Sequence, residues 1–132
     1  MRKLRIFLIL VLLLTGIVQT VSADGNASVS GPSVVRAGDT ITVTFYAGGG
    51  ILGGSGSITY DPTQLTFEDY SVLVDGNWKV ELTGNNFIFY DDSLSSPING
   101  STAIFNMTFA VNPSAAVGTQ VQVSATNVML SD

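Results

Sequence analysis

From residue 38 onward the chain alternates apolar and polar side chains. Ile41, Val43 and Phe45 interleave with Thr40, Thr42 and Thr44, and a second alternation runs through Ser57, Ile58, Thr59 and Tyr60. A period of two buries one side of a strand and leaves the other in water. The pattern predicts strands over 27–29, 40–46, 54–60, 65–74, 78–82, 86–91, 102–111 and 119–127. Asp75-Gly76-Asn77 and Gly84-Asn85-Asn86 supply residues that tolerate positive φ, and the second of these reads as a hairpin turn. Pro62 in Tyr60-Asp61-Pro62 lacks a ladder donor, so pairing stops there before Leu65 and Phe67 restart the alternation. The run Gly48-Gly49-Gly50, with Gly53-Gly54, reads as a mobile crossing between strands. No segment sustains a helical period. Short strands with regular turns and no helices predict an all-β fold, an antiparallel β-sandwich of about eight to nine strands.

The first residues stand outside this pattern. Arg2, Lys3 and Arg5 precede an apolar run from residue 6 to 18, and Val21-Ser22-Ala23 offers the small residues a signal peptidase needs. The run is shorter than the roughly 20 residues that span a bilayer. Residues 1–23 are therefore expected to be a signal peptide and 24–132 a single secreted, extracellular domain. Removing the leader leaves Arg36 and Lys79 against all ten acidic residues, a net charge of −8. Such a surface disfavours nucleic acid and anionic lipid, so neither is expected as a partner and the mature form is not expected to sit in a membrane. The chain has no cysteine, so there is neither a disulfide staple nor a lipoprotein anchor, and the fold must rest on its apolar core.

The chemistry is restricted. Without histidine or cysteine the chain lacks the usual general base, the thiol nucleophile and the commonest zinc ligands. Asp91-Asp92 and Glu68-Asp69 are adjacent pairs whose members point to opposite faces of a strand, so neither pair can flank one glycosidic bond. No calcium-loop spacing occurs. The protein is not expected to be an enzyme or to carry a cofactor or metal. Three Asn-x-Ser/Thr triplets, at Asn26, Asn99 and Asn106, arise readily by chance in a chain this rich in Asn, Ser and Thr.

The alternation divides the remaining residues by face. Phe45, Ile58, Leu65, Phe67, Phe87, Phe89, Phe105, Met107 and Phe109 are the expected core. With Phe87 and Phe89 inward, Ile88 and Tyr90 point outward, with Asp91 beside them at the strand end. On the strand ending in Tyr-Asp-Pro, Gly54, Gly56, Ile58 and Tyr60 face inward while Ser55, Ser57 and Thr59 face outward. An exposed apolar and aromatic pair next to an acid suits a protein interface. The candidate partner-binding set is Ser55, Ser57, Thr59, Ile88, Tyr90 and Asp91.

The order of these segments resembles the cohesin family. Gly38-Asp39-Thr40 opens a strand, Tyr60-Asp61-Pro62 closes the next, and Leu65 to Phe67 begins another, with later matches in 86–93 and 103–111. The resemblance covers residues 29–132 and implies a jelly-roll sandwich similar to carbohydrate-binding modules. It further implies a non-catalytic recognition domain for dockerin-type modules, which would carry the calcium, with the contact on the sheet that holds 54–60 and 86–91. The well-known cellulosomal cohesins carry Asn and Asp where this chain has Gly53 and Ser55, which argues against a type I partner.

Two other functions compete. A carbohydrate-binding module would make polysaccharide the partner, but such modules need a planar row of aromatics, and this chain offers Trp78 and four tyrosines with no evident row. A structural cell-surface or adhesin domain is poorly supported by a lone unit without repeats. Cohesins resemble one another in continuing past the position of Asp132 to a final strand. The domain is accordingly expected to be truncated at its C-terminus, with any attachment to the cell surface supplied by a region beyond it.

Overall fold

The computed structural model describes residues 14–20, 25–32, 34–116, 118 and 121–131. Nine strands lie among them: β1 (Leu14–Thr20), β2 (Asn26–Ser30), β3 (Thr40–Gly48), β4 (Gly53–Tyr60), β5 (Leu65–Val72), β6 (Trp78–Thr83), β7 (Asn86–Asp91), β8 (Thr102–Val111) and β9 (Val121–Ser131). They form two sheets, in the order β1-β9-β4-β7-β6 and β2-β3-β8-β5. All pairs are antiparallel except β1 with β9. From β2 onward the chain crosses between sheets after β3, β4, β5, β7 and β8, which makes the sandwich the expected jelly roll.

Alternation along each strand fills the space between the sheets. Eight of the nine expected core residues are buried, and Phe67 is half-buried with its ring 5.7 Å from that of Phe109. Phe45 and Phe105 of one sheet meet Phe87 and Phe89 of the other. Centroids lie 4.9 Å apart for Phe45 and Phe87, 5.3 Å for Phe87 and Phe105, and 5.7 Å for Phe45 and Phe89. Each such side chain contributes about 1.5–3 kcal/mol by leaving water, so this aromatic box is the main bond between the sheets.

The corners follow from local chemistry. Gly84, at φ 61°, and Asn85 join β6 to β7 in a two-residue hairpin with Thr83 opposite Asn86. Beyond β4, the Asp61 carboxylate accepts the Thr63 N–H at 2.8 Å and its hydroxyl at 2.6 Å, folding the chain over Pro62 into β5. These two bonds, the hydroxyl first, hold the Asp61 carboxyl below the usual carboxylate value. The glycine crossing expected to be mobile is tied down: Gly49 and Gly50 donate to the carbonyls of Asn99 and Ile98 at 2.8 Å each, and Ile51 is buried. Gly49 and Gly50 have φ of 99° and 82°, which explains the residue choice without mobility.

Apart from the end of the last strand, the boundaries of the expected strands lie within two residues of expectation. β5 ends at Val72, where the chain turns to cross, and β9 runs on past Asn127 to Ser131. Thr119 and Gln120, expected to start that last strand, lie outside the described residues, as do 1–13 and 21–24 of the leader and cleavage region. Residues 14–20, assigned from sequence to the leader, lie parallel to β9, with Leu14 opposite Val121 and Ile17 opposite Ser124. Among the described residues no helix is long and apolar enough to cross a membrane.

Candidate partner-binding face

The outer side of the β9-β4-β7-β6 sheet is set by the core beneath it. Phe87 and Phe89 extend from β7 under β4. A Cβ on Gly54 would lie 2.6 Å from Phe89 Cζ, and one on Gly56 would lie 2.7 Å from Phe87 Cζ. Glycine at those inward positions makes room for the rings, and the residues between them, Ser55 and Ser57, face out. Gly53 also faces out, where a Cβ would approach Tyr90 Cβ at 3.3 Å.

Register arranges the outward residues in rows across the strands. Lys79, Tyr90, Gly53 and Ser131 form one row, and Glu81, Ile88, Ser55 and Met129 the next. Thr83, Asn86, Ser57 and Thr126 follow, then Thr59 beside Ser124. The first two rows are apolar in their centre, with Ile88 47% and Met129 60% exposed. The small residues of β4 lie lower than their neighbours, which leaves an open groove of about 500 Å³ lined by Gly53, Ser55, Ile88, Tyr90, Leu94 and Met129. The later rows are polar: Ser57 Oγ donates to Asn86 Oδ1 at 2.8 Å, and the hydroxyls of Thr59 and Thr126 lie 3.4 Å apart.

Five of the six candidate residues therefore share this face, with Tyr90 half-buried on it. Asp91 does not. It is fully buried, because the alternation that turns Phe87 and Phe89 inward turns Asp91 inward as well. One carboxylate oxygen accepts the Ser93 N–H at 3.0 Å and its hydroxyl at 2.8 Å; the other accepts the N–H groups of Ser95 at 3.1 Å and Ser96 at 2.6 Å. Burial is the largest influence and pushes the carboxyl up. Hydrogen bonds from the Ser93 hydroxyl and from the N–H groups of Ser96, Ser93 and Ser95 together outweigh it and hold the carboxyl below its usual value.

The loop wrapped around Asp91 has a second effect. It fixes Leu94 at φ 55°, a left-handed conformation uncommon for a residue without a glycine's freedom, and leaves its side chain 67% exposed at the end of the groove. Leu94 was missed from sequence because nothing in 93–97 alternates. Met129 was missed for another reason. Continuing the phase of Val121, Val123 and Ala125 would turn residue 129 inward, but Ser55 pairs with Met129 and Ser57 with Thr126, so β9 has one residue more than β4 there. Asn127, at φ 54°, sits in this bulge and flips the phase, burying Val128 and Leu130 and exposing Met129. An asparagine followed by a shifted alternation was the available signal.

Asp91 is buried beside exposed Asp92, and Asp69 accepts the Tyr70 N–H at 2.8 Å next to the bulge of β5. Among the described residues no group of three or more His, Cys, Asp or Glu side chains is gathered to hold a metal. Trp78 is 9% exposed, its indole N–H donates to Ser96 O at 3.1 Å and its ring stacks on Phe89.

No family model matches the sequence, and no curated protein matches it. Solved structures do match the fold. The sixth cohesin of scaffoldin B from Acetivibrio cellulolyticus, solved with a Cel5 dockerin variant, superposes with a TM-score of 0.61 at 18% identity, covering 92% of this chain and 85% of that one. A cohesin module from a family 33 glycoside hydrolase of Clostridium perfringens gives 0.58 at 8% identity, covering 80% and 98%. The third cohesin of ScaC from Acetivibrio cellulolyticus, in complex with the ScaB dockerin, gives 0.55 at 13% identity, covering 91% and 96%. The fold is that of a cohesin-like β-sandwich.

Proposed function

We propose that this protein is a secreted, non-catalytic recognition module that docks a dockerin-type partner through the outer face of β4, β7 and β9. The observation that carries the reading is the exposed apolar band of Ile88, Leu94 and Met129 across the small residues Gly53 and Ser55, on one face of a cohesin-like sandwich. Exposed apolar bands rimmed by polar groups are where proteins associate. Calcium would be on the partner. The setting is extracellular polysaccharide degradation or surface assembly, in keeping with the leader-like residues at the N-terminus. Direct sugar binding is the weaker reading, since Trp78 is committed to the core side and Tyr60 packs its ring 4.9 Å from Phe109. A pull-down from culture supernatant with and without a calcium chelator tests both. Recovery of dockerin-bearing proteins only with calcium supports docking. Retention on insoluble polysaccharide with no protein partner overturns it.

A further inference from the structure

We infer that Asn26, Asn99 and Asn106 are acceptor sites for N-linked glycans, which cover the outer face of the β2-β3-β8-β5 sheet and its β2 edge. The inference rests on the export part of the functional reading and is independent of docking. Chance accounts for the number of Asn-x-Ser/Thr triplets in this chain, but not for where the fold puts them. Of the eight asparagines, Asn77, Asn85, Asn86 and Asn127 belong to the five-stranded sheet and its turns, and none of them starts a triplet. The other four lie on the opposite sheet or in the loops that join it, and three of these do.

Asn112 is the exception on that side. Pro113 separates it from Ser114, and proline in the middle position abolishes acceptance. Its carboxamide is also in use, donating to Thr63 O at 2.7 Å and accepting the Ser114 N–H at 2.8 Å. The carboxamides of Asn26, Asn99 and Asn106, by contrast, make no hydrogen bond among the described residues. Asn26 and Asn99 are exposed, and Asn106 is half-buried between the small residues Thr44 and Ser71. Residues two apart share a face of a strand. Asn26 with Ser28 on β2, and Asn106 with Thr108 on β8, therefore present amide and hydroxyl together on the solvent side. Asn99 stands in a loop whose carbonyl holds the Gly49 N–H at 2.8 Å, and a Cβ on Gly100, in the middle of its triplet, would meet nothing within 4 Å.

The face has a use for such a cover. β2, β3 and β8 contain no charged residue. β2 is the edge of its sheet and has neither a charge nor a proline to keep another strand from pairing with it. A glycan on Asn26 hinders that pairing, while those on Asn99 and Asn106 cover the corner beside it and the middle of the face. The groove on β4, β7 and β9 lies on the far side of the sandwich and stays open. In the transfer step the asparagine Nδ2 attacks C1 of an oligosaccharide carried on a polyprenyl pyrophosphate. A C1–N bond forms, the C1–O bond breaks with its electron pair leaving on the pyrophosphate, and the amide loses one proton to the transferring enzyme.

The test is glycopeptide mass spectrometry of the full chain collected from the culture supernatant of the cells that make it. Expected are glycopeptides spanning Asn26, Asn99 and Asn106, and unmodified peptides spanning Asn77, Asn85, Asn86, Asn112 and Asn127. Ser28→Ala, Ser101→Ala and Thr108→Ala keep each asparagine and remove the hydroxyl that the transferring enzyme reads, so each is expected to lower the intact mass by one glycan. The triple variant, folded as judged by its melting curve, is expected to sediment as oligomers at concentrations where the parent is a monomer. A secreted chain with these three asparagines unmodified, glycan on the other five, or an intact mass indifferent to the hydroxyl variants would overturn this inference and leave docking intact. A triple variant that stays monomeric would overturn the shielding of the β2 edge. Retention of the chain inside the cell would overturn the export reading, and this inference with it.

Discussion

The two sides of β7 differ in what a substitution there would remove. Phe87, Phe89 and Asp91 point inward, the rings into the aromatic box between the sheets and the carboxylate into a shell of serine donors. Ile88 and Tyr90 point outward, where Ile88 remains exposed on a groove that none of the described residues fills. One six-residue strand thus separates stability from recognition by a rotation of its side chains alone. Neighbouring positions in sequence should therefore give unrelated phenotypes.

The largest expected effect is on the inner side. Phe89→Ala should cost about 3–5 kcal/mol in urea unfolding, because the surrounding rings cannot collapse into the space left. A loss below about 1 kcal/mol would mean the two faces have been exchanged. The inner glycines give the complementary test: Gly54→Ala pushes a methyl into Phe89 and Leu130 and should cost about 1–3 kcal/mol by overpacking.

On the outer side, Ile88→Ala with Tyr90→Ala should weaken a docked partner by about 2 kcal/mol or more in calorimetric titration. The same double variant should keep its unfolding midpoint nearly unchanged. A folded double variant with full affinity would remove these residues from the interface.

The smallest effect separates Asp91 from its outward neighbours. Its folded-state carboxyl lies below the usual value, so its stabilising contribution is present above about pH 5 and fades as pH falls below about 4 and through the lowered folded-state value. Asp91→Asn should lower the melting temperature at pH 7, and the gap from the parent protein should narrow as the pH falls below 4. A gap that stays constant would mean the carboxylate charge does not hold the loop. Asp61, which makes a similar turn with Thr63 in an exposed corner, should show the same trend more weakly.

Much of this arrangement was legible beforehand, and the exceptions have particular causes. Strands β2 to β9, the inward phenylalanines and the outward Ser55, Ser57, Thr59, Ile88 and Tyr90 follow from a period of two, whereas β1 lies in residues read as a leader. Asp91 was grouped with the outward pair because it ends their strand, although the same period turns it inward. Its burial is tolerable only because four donors from residues 93–96 converge on it, and sequence does not show that convergence. The glycine crossing was read as mobile because its composition allows many conformations. Its hydrogen-bond partners, Ile98 and Asn99, lie almost fifty residues further along the chain.

By itself the amino-acid order determined the class of fold, the division of most strands into two faces, and the absence of histidine and thiol chemistry. These are consequences of local alternation and composition, which need no knowledge of neighbours. Tertiary structure alone decided which strands lie side by side, and with that the apolar band. Ile88 and Met129 are 41 positions apart and meet only because β7 and β9 both pair with β4. Whether Met129 faces the solvent depends on one extra residue in β9. That bulge exists because its pairing with β4 must resume in register beyond Asn127, a condition imposed across the sheet and not along the chain.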